Sequence, residues 1–306
     1  MFLLHLHGLR LTNPTDNSPI IEVDSYEKFY KMIAGCNVVI DMIGDVDGEE
    51  KTKKRVEGEA RILRSFYYFN LVNIYAYPYN APEGKSAGVP LKLNSTIDQT
   101  SIPRSTVAEV YNTIISDVEK GINLLTEVNA TGSKFRIGIS TAHLLASRYY
   151  LFMENWEKVV EHATAVFSAP GNSHSLFDMT NVNYPNAINT GGFPHPFTLN
   201  NPEILFFYAS EEEHEVVTSD YYAKCFMASD QLRNCYSNED QRWNGYLCPY
   251  GEAGDEKKSS KFARELKFGA CLRLSEAYLN RAEAYANLAK IGGNEYFGKA
   301  LSDLNT

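Results

Sequence analysis

Three clusters in the sequence set flat aromatic rings beside side chains that form paired hydrogen bonds. They are Trp243 with Arg242, Asn244 and Tyr246; Tyr77 and Tyr79 with Asn80; and Tyr221 and Tyr222 with Asp220. Such sets do non-covalent chemistry. A ring covers an apolar face, while amides, carboxylates and guanidinium groups meet the donors and acceptors around it. No proton need move, so neither a nucleophile nor a shifted acid is required. Trp243 leads, because Trp156 falls at a helix–helix turn where core packing explains it and Trp243 has no such explanation. The others carry a competing reading: Tyr79 after Pro78 can simply pin its own loop, and Tyr221 and Tyr222 can form a buried face.

Covalent and metal chemistry lack their motifs. There is no phosphate-binding loop, no dinucleotide fingerprint and no HExxH pair. Gly138-Ile139-Ser140-Thr141-Ala142 lacks the closing glycine and the preceding strand of a nucleophile elbow and reads as a helix start. Asp45-Val46-Asp47-Gly48 fails as a calcium loop, since that register puts Ile43 and Lys54 on ligand positions. The acidic run Glu211 to Glu215, with His214 inside it, reads as a solvated loop, and His143 and His162 read as packing or surface residues of helices. The five cysteines form no CxxC pair, so neither a zinc site nor a disulfide framework is indicated; Cys36 and Cys271 fall in helical apolar patterns. The expectation is no catalytic residue, no metal and no cofactor.

Charge narrows the partners. The 306 residues carry 29 Lys and Arg against 38 Asp and Glu, a net charge of -9. The one short basic run, Lys51, Lys53, Lys54 and Arg55 beside Glu49 and Glu50, reads as a solvated helix start, so nucleic acid is not an expected partner. No stretch of 18 apolar residues is present, and Met1 to His7 lacks the basic start of a signal peptide.

The elements that must hold these residues are helical. Asp24-Ser25-Tyr26-Glu27 has the capping-box pattern and opens a helix through Phe29, Met32, Ile33, Cys36 and Ile40. A second helix spans about Thr52 to Tyr75, with Ala60, Leu63, Tyr67, Leu71 and Ile74 on one stripe that Phe66, Tyr68, Val72 and Tyr75 widen, so deep packing is expected. Thr106-Val107-Ala108-Glu109 caps a third, through Val110, Ile114, Val118, Ile122 and Leu125. Residues 129–138 form a connection, after which Ser140 or Thr141 caps the next helix. A partner helix follows the turn at Glu154-Asn155 and stops at Pro170-Gly171. Ile204 to Tyr208 reads as one short strand, and Ser229 to Lys261 as mostly loop. The last helix runs from Leu272 to Lys290, and its partner packs through Tyr296, Ala300, Leu301 and Leu304. Thr141–Phe167 and Leu274–Leu304 are built alike, each with the size of a tetratricopeptide-like helix pair. Most of the 20 tyrosines, among them Tyr67, Tyr68, Tyr75, Tyr111, Tyr149, Tyr150, Tyr278 and Tyr285, fall on helices, which assigns them to packing.

The segment Glu57-Gly58-Glu59-Ala60-Arg61-Ile62-Leu63-Arg64-Ser65-Phe66-Tyr67-Tyr68-Phe69-Asn70-Leu71-Val72-Asn73-Ile74-Tyr75 resembles the signature helix of the SusD/RagB family. Further matches follow in the family's order: Tyr77-Pro78-Tyr79, Gly88 to Leu91, Arg104 to Tyr111, Asn155 to Lys158, Pro202 to Phe206, Ser229 to Arg242, and Leu272 to Ala284. The family's usual glycine after the signature tyrosine is Ala76 here, which implies a different loop path. The resemblance implies a mainly α fold in one domain, a right-handed superhelical scaffold of tetratricopeptide-like helix pairs with few short strands. Residues 25–168 would form a first helical part, 169–270 a loop-rich decorating region and 271–306 the last helical pair.

The resemblance also implies a non-enzymatic lipoprotein on the surface of an outer membrane. Such a protein captures oligosaccharide or polysaccharide and delivers it to a SusC-like TonB-dependent transporter. The lipid anchor and the end of the usual chain are absent from this sequence, which looks clipped at both ends. Trp243, Tyr246, Tyr79, Tyr77, Asn80, Tyr221 and Tyr222 become the glycan-binding candidates. The rival is a helical-repeat interaction module, a transporter lid or a cytosolic adaptor, with little affinity of its own for glycan.

Overall fold

The structure, a computed structural model, describes residues 11–12, 19–21, 25–82, 86–97, 101–171, 173–178, 201–208, 229–237, 240, 247–250, 256–259 and 270–306. Their helices are α1 (Ser25–Met42), α2 (Glu50–Tyr75), α3 (Val107–Glu127), α4 (Ile139–Phe152), α5 (Trp156–Ser168), α6 (Asp230–Arg233), α7 (Leu274–Lys290) and α8 (Glu295–Leu304). The strands pair two by two, all antiparallel. β1 (Leu11–Thr12) pairs with β2 (Pro19–Ile21), β3 (Ala87–Pro90) with β4 (Arg104–Thr106), β5 (Ile204–Tyr208) with β8 (Ala270–Arg273), and β6 (Leu247–Tyr250) with β7 (Glu256–Ser259). The fold is mainly α, built of tetratricopeptide-like helix pairs with few short strands. The chain divides into two compact units, one of residues 1–131, 137–170 and 277–306 and one of 132–136 and 171–276.

In the first unit α2 packs against both α1 and α3, α3 against α4, and α4 against α5. The capping box that opens α3 is formed: Thr106 Oγ1 accepts from the Glu109 N–H at 3.2 Å, and Glu109 Oε2 accepts from the Thr106 N–H at 2.7 Å. Val110, Ile114, Val118, Ile122 and Leu125 are all buried, as their spacing predicts. Two glycines set how closely α2 and α3 approach. A Cβ on Gly121 would stand 2.6 Å from Ile62 Cδ1 and 3.0 Å from the Gly58 carbonyl.

The buried sector of α2 is wide, as the widened stripe predicts, with Phe66, Tyr68 and Val72 buried, but its centre is shifted. Ala60 and Leu71 are buried, but Leu63, Tyr67 and Ile74 are only half-buried, while Ile62, Arg64, Ser65, Phe66, Tyr68, Phe69 and Val72 are buried. A helix clasped by neighbours on two sides has a wide buried sector, whose centre their placement decides. On α1, Ile33 and Cys36 are buried but Met32 is exposed. Asp24, the expected first residue of the α1 capping box, lies outside the described residues.

The start of α4 also departs from expectation. Neither Ser140 nor Thr141 caps it; Gly138 is the capping residue, without a side-chain bond, and both lie inside the helix. The Ile139 N–H donates to Ala130 O at 3.2 Å, which draws the first turn toward the end of the preceding segment. The α4–α5 turn is as predicted, with Asn155 Oδ1 accepting from the Lys158 N–H at 3.3 Å.

From Ala277 onward, α7 with α8 completes this unit. Asn280 Nδ2 donates to Ser147 Oγ at 3.1 Å, tying α7 to α4. Arg281 donates to both Asp303 oxygens at 2.8 and 2.7 Å while its guanidinium lies 4.6 Å over the Phe167 ring, so one side chain joins α5, α7 and α8. Of the expected partner face of α8, Tyr296 stacks on Tyr285 and Ala300 is buried, but Leu301 and Leu304 are exposed.

The second unit centres on Glu203, at the turn before β5. Its carboxylate accepts from the Phe177 N–H at 2.9 Å and from Ser275 Oγ at 3.1 Å, and its carbonyl accepts from the Leu274 N–H at 2.9 Å. An anion beside the first turn of α7 suits the positive end of the helix dipole. The last helix was expected from Leu272; residues 270–273 instead form β8 against β5, and α7 starts at Leu274. Cys271 therefore lies in a strand and not on a helical face. The stretch 229–261, expected to be mostly loop, contains α6 and the β6–β7 hairpin.

Candidate functional site

Tyr77, Tyr79 and Asn80 are carried on the loop that follows α2. Its first residue, Ala76, is extended at φ -130° and ψ 177°, a conformation open to any residue, so the family's glycine is not needed here. The roots of the loop are fixed. Arg104 donates to Tyr75 O at 2.9 Å and to Gly88 O at 2.6 Å, and the Tyr75 hydroxyl meets Ser25 Oγ at 2.7 Å. The Ala81 N–H closes a turn onto Pro78 O at 3.0 Å.

Within this frame the two tyrosines separate. Tyr79 is half-buried, its ring 4.9 Å from that of Tyr111 in an edge-on contact. Tyr111 is fully buried, donates to Asn73 Oδ1 at 3.2 Å, and has its phenol pushed up to about 12, chiefly by burial. Tyr79 thus anchors the loop, whereas Tyr77 is 49% exposed and Asn80 is exposed. The remaining candidates, Trp243, Tyr246, Tyr221 and Tyr222, lie outside the described residues.

Sequence reasoning missed a buried polar network beneath this region. Arg64 of α2 donates to both carboxylate oxygens of Asp117 in α3, at 2.7 Å each, and to Asn37 Oδ1 of α1 at 2.8 Å. Burial opposes the guanidinium charge, but the hydrogen bonds and charge of Asp117 outweigh it and keep Arg64 protonated. Asn37 then donates to the carbonyls of Lys92 and Asn94, at 2.9 and 3.1 Å. Tyr68 donates to Lys92 O and accepts from Lys92 N–H, both at 2.8 Å. The strap after β3 is held onto two helices, α1 and α2, through its main chain. An arginine inside a helix otherwise reads as solvated, so the only signal in the sequence was the aromatic and aliphatic residues around it.

A second cluster joins α3, α4 and α5. The Nδ1 atoms of His143 and His162 lie 3.0 Å apart, so one must donate and the other accept. Tyr150 stacks on His162 and donates to Glu119 Oε1 at 2.9 Å, and His162 Nε2 lies 3.2 Å from that same oxygen, off hydrogen-bond alignment. Both histidines are packing residues. Among the described residues, no group of three or more His, Cys, Asp or Glu is placed to hold a metal ion, and no helix is long and apolar enough to cross a membrane.

A helical-repeat scaffold that carries a solvent-facing aromatic on a pinned loop defines the structural class. The comparisons narrow that class. Residues 12–151 match the SusD-like family described as starch-binding and associating with the outer membrane. A SusD-like protein of Formosa agariphila is 27% identical over 173 residues, 52% of this chain and 31% of that protein. A SusD superfamily structure from Bacteroides thetaiotaomicron superposes with a TM-score of 0.72 at 26% identity, covering 92% of this chain and 64% of the other. A SusD-like carbohydrate binding protein from Bacteroides vulgatus gives a TM-score of 0.73 at 24% identity, covering 92% and 60%. The first half of this chain is similar to the SusD-like family, and its fold matches that of SusD superfamily structures. It spans less than two thirds of the length of each of these relatives.

Proposed function

We propose that the protein is a non-catalytic, surface-exposed carbohydrate-binding protein of an outer membrane. It captures oligosaccharide or polysaccharide and passes it to a SusC-like TonB-dependent transporter, held at the membrane by an N-terminal lipid. The observation that carries the binding reading is Tyr77, half exposed beside the exposed Asn80 on a loop whose roots are fixed by Arg104 and Tyr75. A pyranose offers an apolar C–H face for such a ring and a rim of hydroxyls for the amide, and a pinned loop loses little freedom on binding. Trp243 with Tyr246, and Tyr221 with Tyr222, extend the proposed ligand set, while Tyr79 supports Tyr77 from below.

The test is affinity electrophoresis of the 306-residue chain through gels containing amylopectin, laminarin, arabinoxylan or homogalacturonan. Retardation by at least one polysaccharide is expected, weakened by Tyr77→Ala and by Trp243→Ala. Unretarded migration in every gel refutes glycan binding. The rival reading, an interaction module with little glycan affinity, draws support from exposed apolar side chains on α1 (Met32, Val38, Met42) and α8 (Phe297, Leu301, Leu304).

A further inference from the structure

The turn joining α3 to α4 holds an aromatic ring at its tip. Ser133 and Arg136 exchange both main-chain hydrogen bonds, at 2.9 and 3.2 Å, which makes Lys134 and Phe135 the two central residues of a tight turn. The turn is then fastened to β5 and its approach. The Phe207 N–H donates to Lys134 O at 2.8 Å, Lys134 Nζ donates to Asn201 O at 2.9 Å, and the Phe135 N–H reaches Ser133 Oγ at 3.3 Å. A segment this short with this many bonds has little freedom left to lose on binding.

Its tip is apolar where turn tips are usually polar. Phe135 is 55% exposed, and its ring stacks on the buried ring of Phe207, with centroids 6.0 Å apart and planes 27° from parallel. A buried ring therefore backs an exposed one and fixes its orientation. Ser133 and Arg136, on either side of the central pair, are polar and exposed. Among the described residues of this unit, the only other large apolar side chain classed as exposed is Leu232. A protein partner of this area would call for a contiguous apolar patch. A flat exposed ring, with Ser133 and Arg136 beside it in the turn, suits the apolar C–H face of a single sugar ring.

We propose that Phe135 is a carbohydrate-stacking platform, backed by Phe207, that contributes a contact separate from the Tyr77 loop. This rests on the carbohydrate-binding reading above. The test compares the wild-type chain with Phe135→Ala, Phe135→Leu and Phe135→Trp, using oligosaccharides of whichever polysaccharide retards the wild type. Loss of one stacked ring is worth about a two- to tenfold change in Kd. Phe135→Ala and Phe135→Leu are expected to weaken binding by that factor, and Phe135→Trp to keep it. Leucine retains apolar bulk without a flat face, so it separates stacking from mere packing, and unchanged melting temperatures confirm that the fold is intact. Wild-type affinity in the alanine and leucine variants overturns the platform while leaving carbohydrate binding standing. A wild type that binds no polysaccharide overturns both.

Discussion

Removing the Arg64 guanidinium is the sharpest test of how this scaffold is held. Arg64 is 5% exposed and Asp117 3%. Replacing Arg64 with Met keeps the aliphatic stem but leaves the Asp117 carboxylate buried with one remaining cation, Arg61, at 3.4 Å. Asn37 Oδ1 loses its donor in the same step. Breaking a buried, hydrogen-bonded ion pair from one side costs about 3–5 kcal/mol, against a total stability of about 5–15 kcal/mol for a typical domain. Arg64→Met is therefore expected to lose about a fifth of the stability or more, read as a lower urea midpoint by far-ultraviolet circular dichroism. Arg64→Lys keeps the charge but not the planar fork and falls between. The double variant Arg64→Met/Asp117→Leu removes both charges. It should lie well above the sum of the two single losses, with a residual cost of about 1 kcal/mol for the unpaired Asn37. Single variants that each cost less than about 1 kcal/mol, or a double variant equal to their sum, would refute the claim that this pair is coupled and buried.

Two further outcomes follow from packing and from titration. Gly121→Ala puts a methyl group 2.6 Å from Ile62 Cδ1 and 3.0 Å from the Gly58 carbonyl. Overpacking here outweighs alanine's better helix propensity, for a net loss of about 1–2 kcal/mol; a stabilised variant in thermal melts would show that α2 and α3 can part at little cost. Burial, and then the neighbouring charge of His162, holds His143 down to about 4 against an ordinary 6.5. The unfolded chain thus takes up the proton first, so this stability is complete above about pH 6.5 and is lost as pH falls toward 4. Glu119, Glu161 and Lys158 stand nearby, along with the Tyr150 hydroxyl. Between pH 7 and 5 the wild type should lose about 1–2 kcal/mol more than His143→Leu does; equal pH profiles would rule out His143 as the source.

What could be read from the sequence was local or periodic. The capping box at Thr106, the buried positions of α3, the turn at Asn155 and the assignment of most tyrosines to packing each depend on residues a few positions apart, whose geometry a helix fixes. Tyr68, Tyr111 and Tyr149 are accordingly among the largest fully buried side chains. Several misplaced features have a hydrogen-bond partner outside the local helical pattern. β8 replaces the first turn of the expected last helix because β5, more than sixty residues earlier, supplies its hydrogen bonds. α4 starts early because Ala130 offers a carbonyl to Ile139.

The same division runs through the binding residues. Composition and spacing put aromatic rings beside amides on loops, and the order of the signature segments pointed to the SusD-like family. Whether a given ring meets solvent depends on what packs beneath it. Tyr77 and Tyr79 are equivalent in the sequence, yet Tyr111 covers one while the other stays half exposed. Phe135 lies in a segment with no pattern at all, and only its stacking on Phe207 makes it a presented ring. Arg64 reads as one more charge on a helix until Asp117 and Asn37 close around it. The sequence by itself determined most of the helices and the family resemblance, because both are written in short-range order; the tertiary structure decided exposure and charge pairing, because those depend on neighbours that the chain brings in from far away.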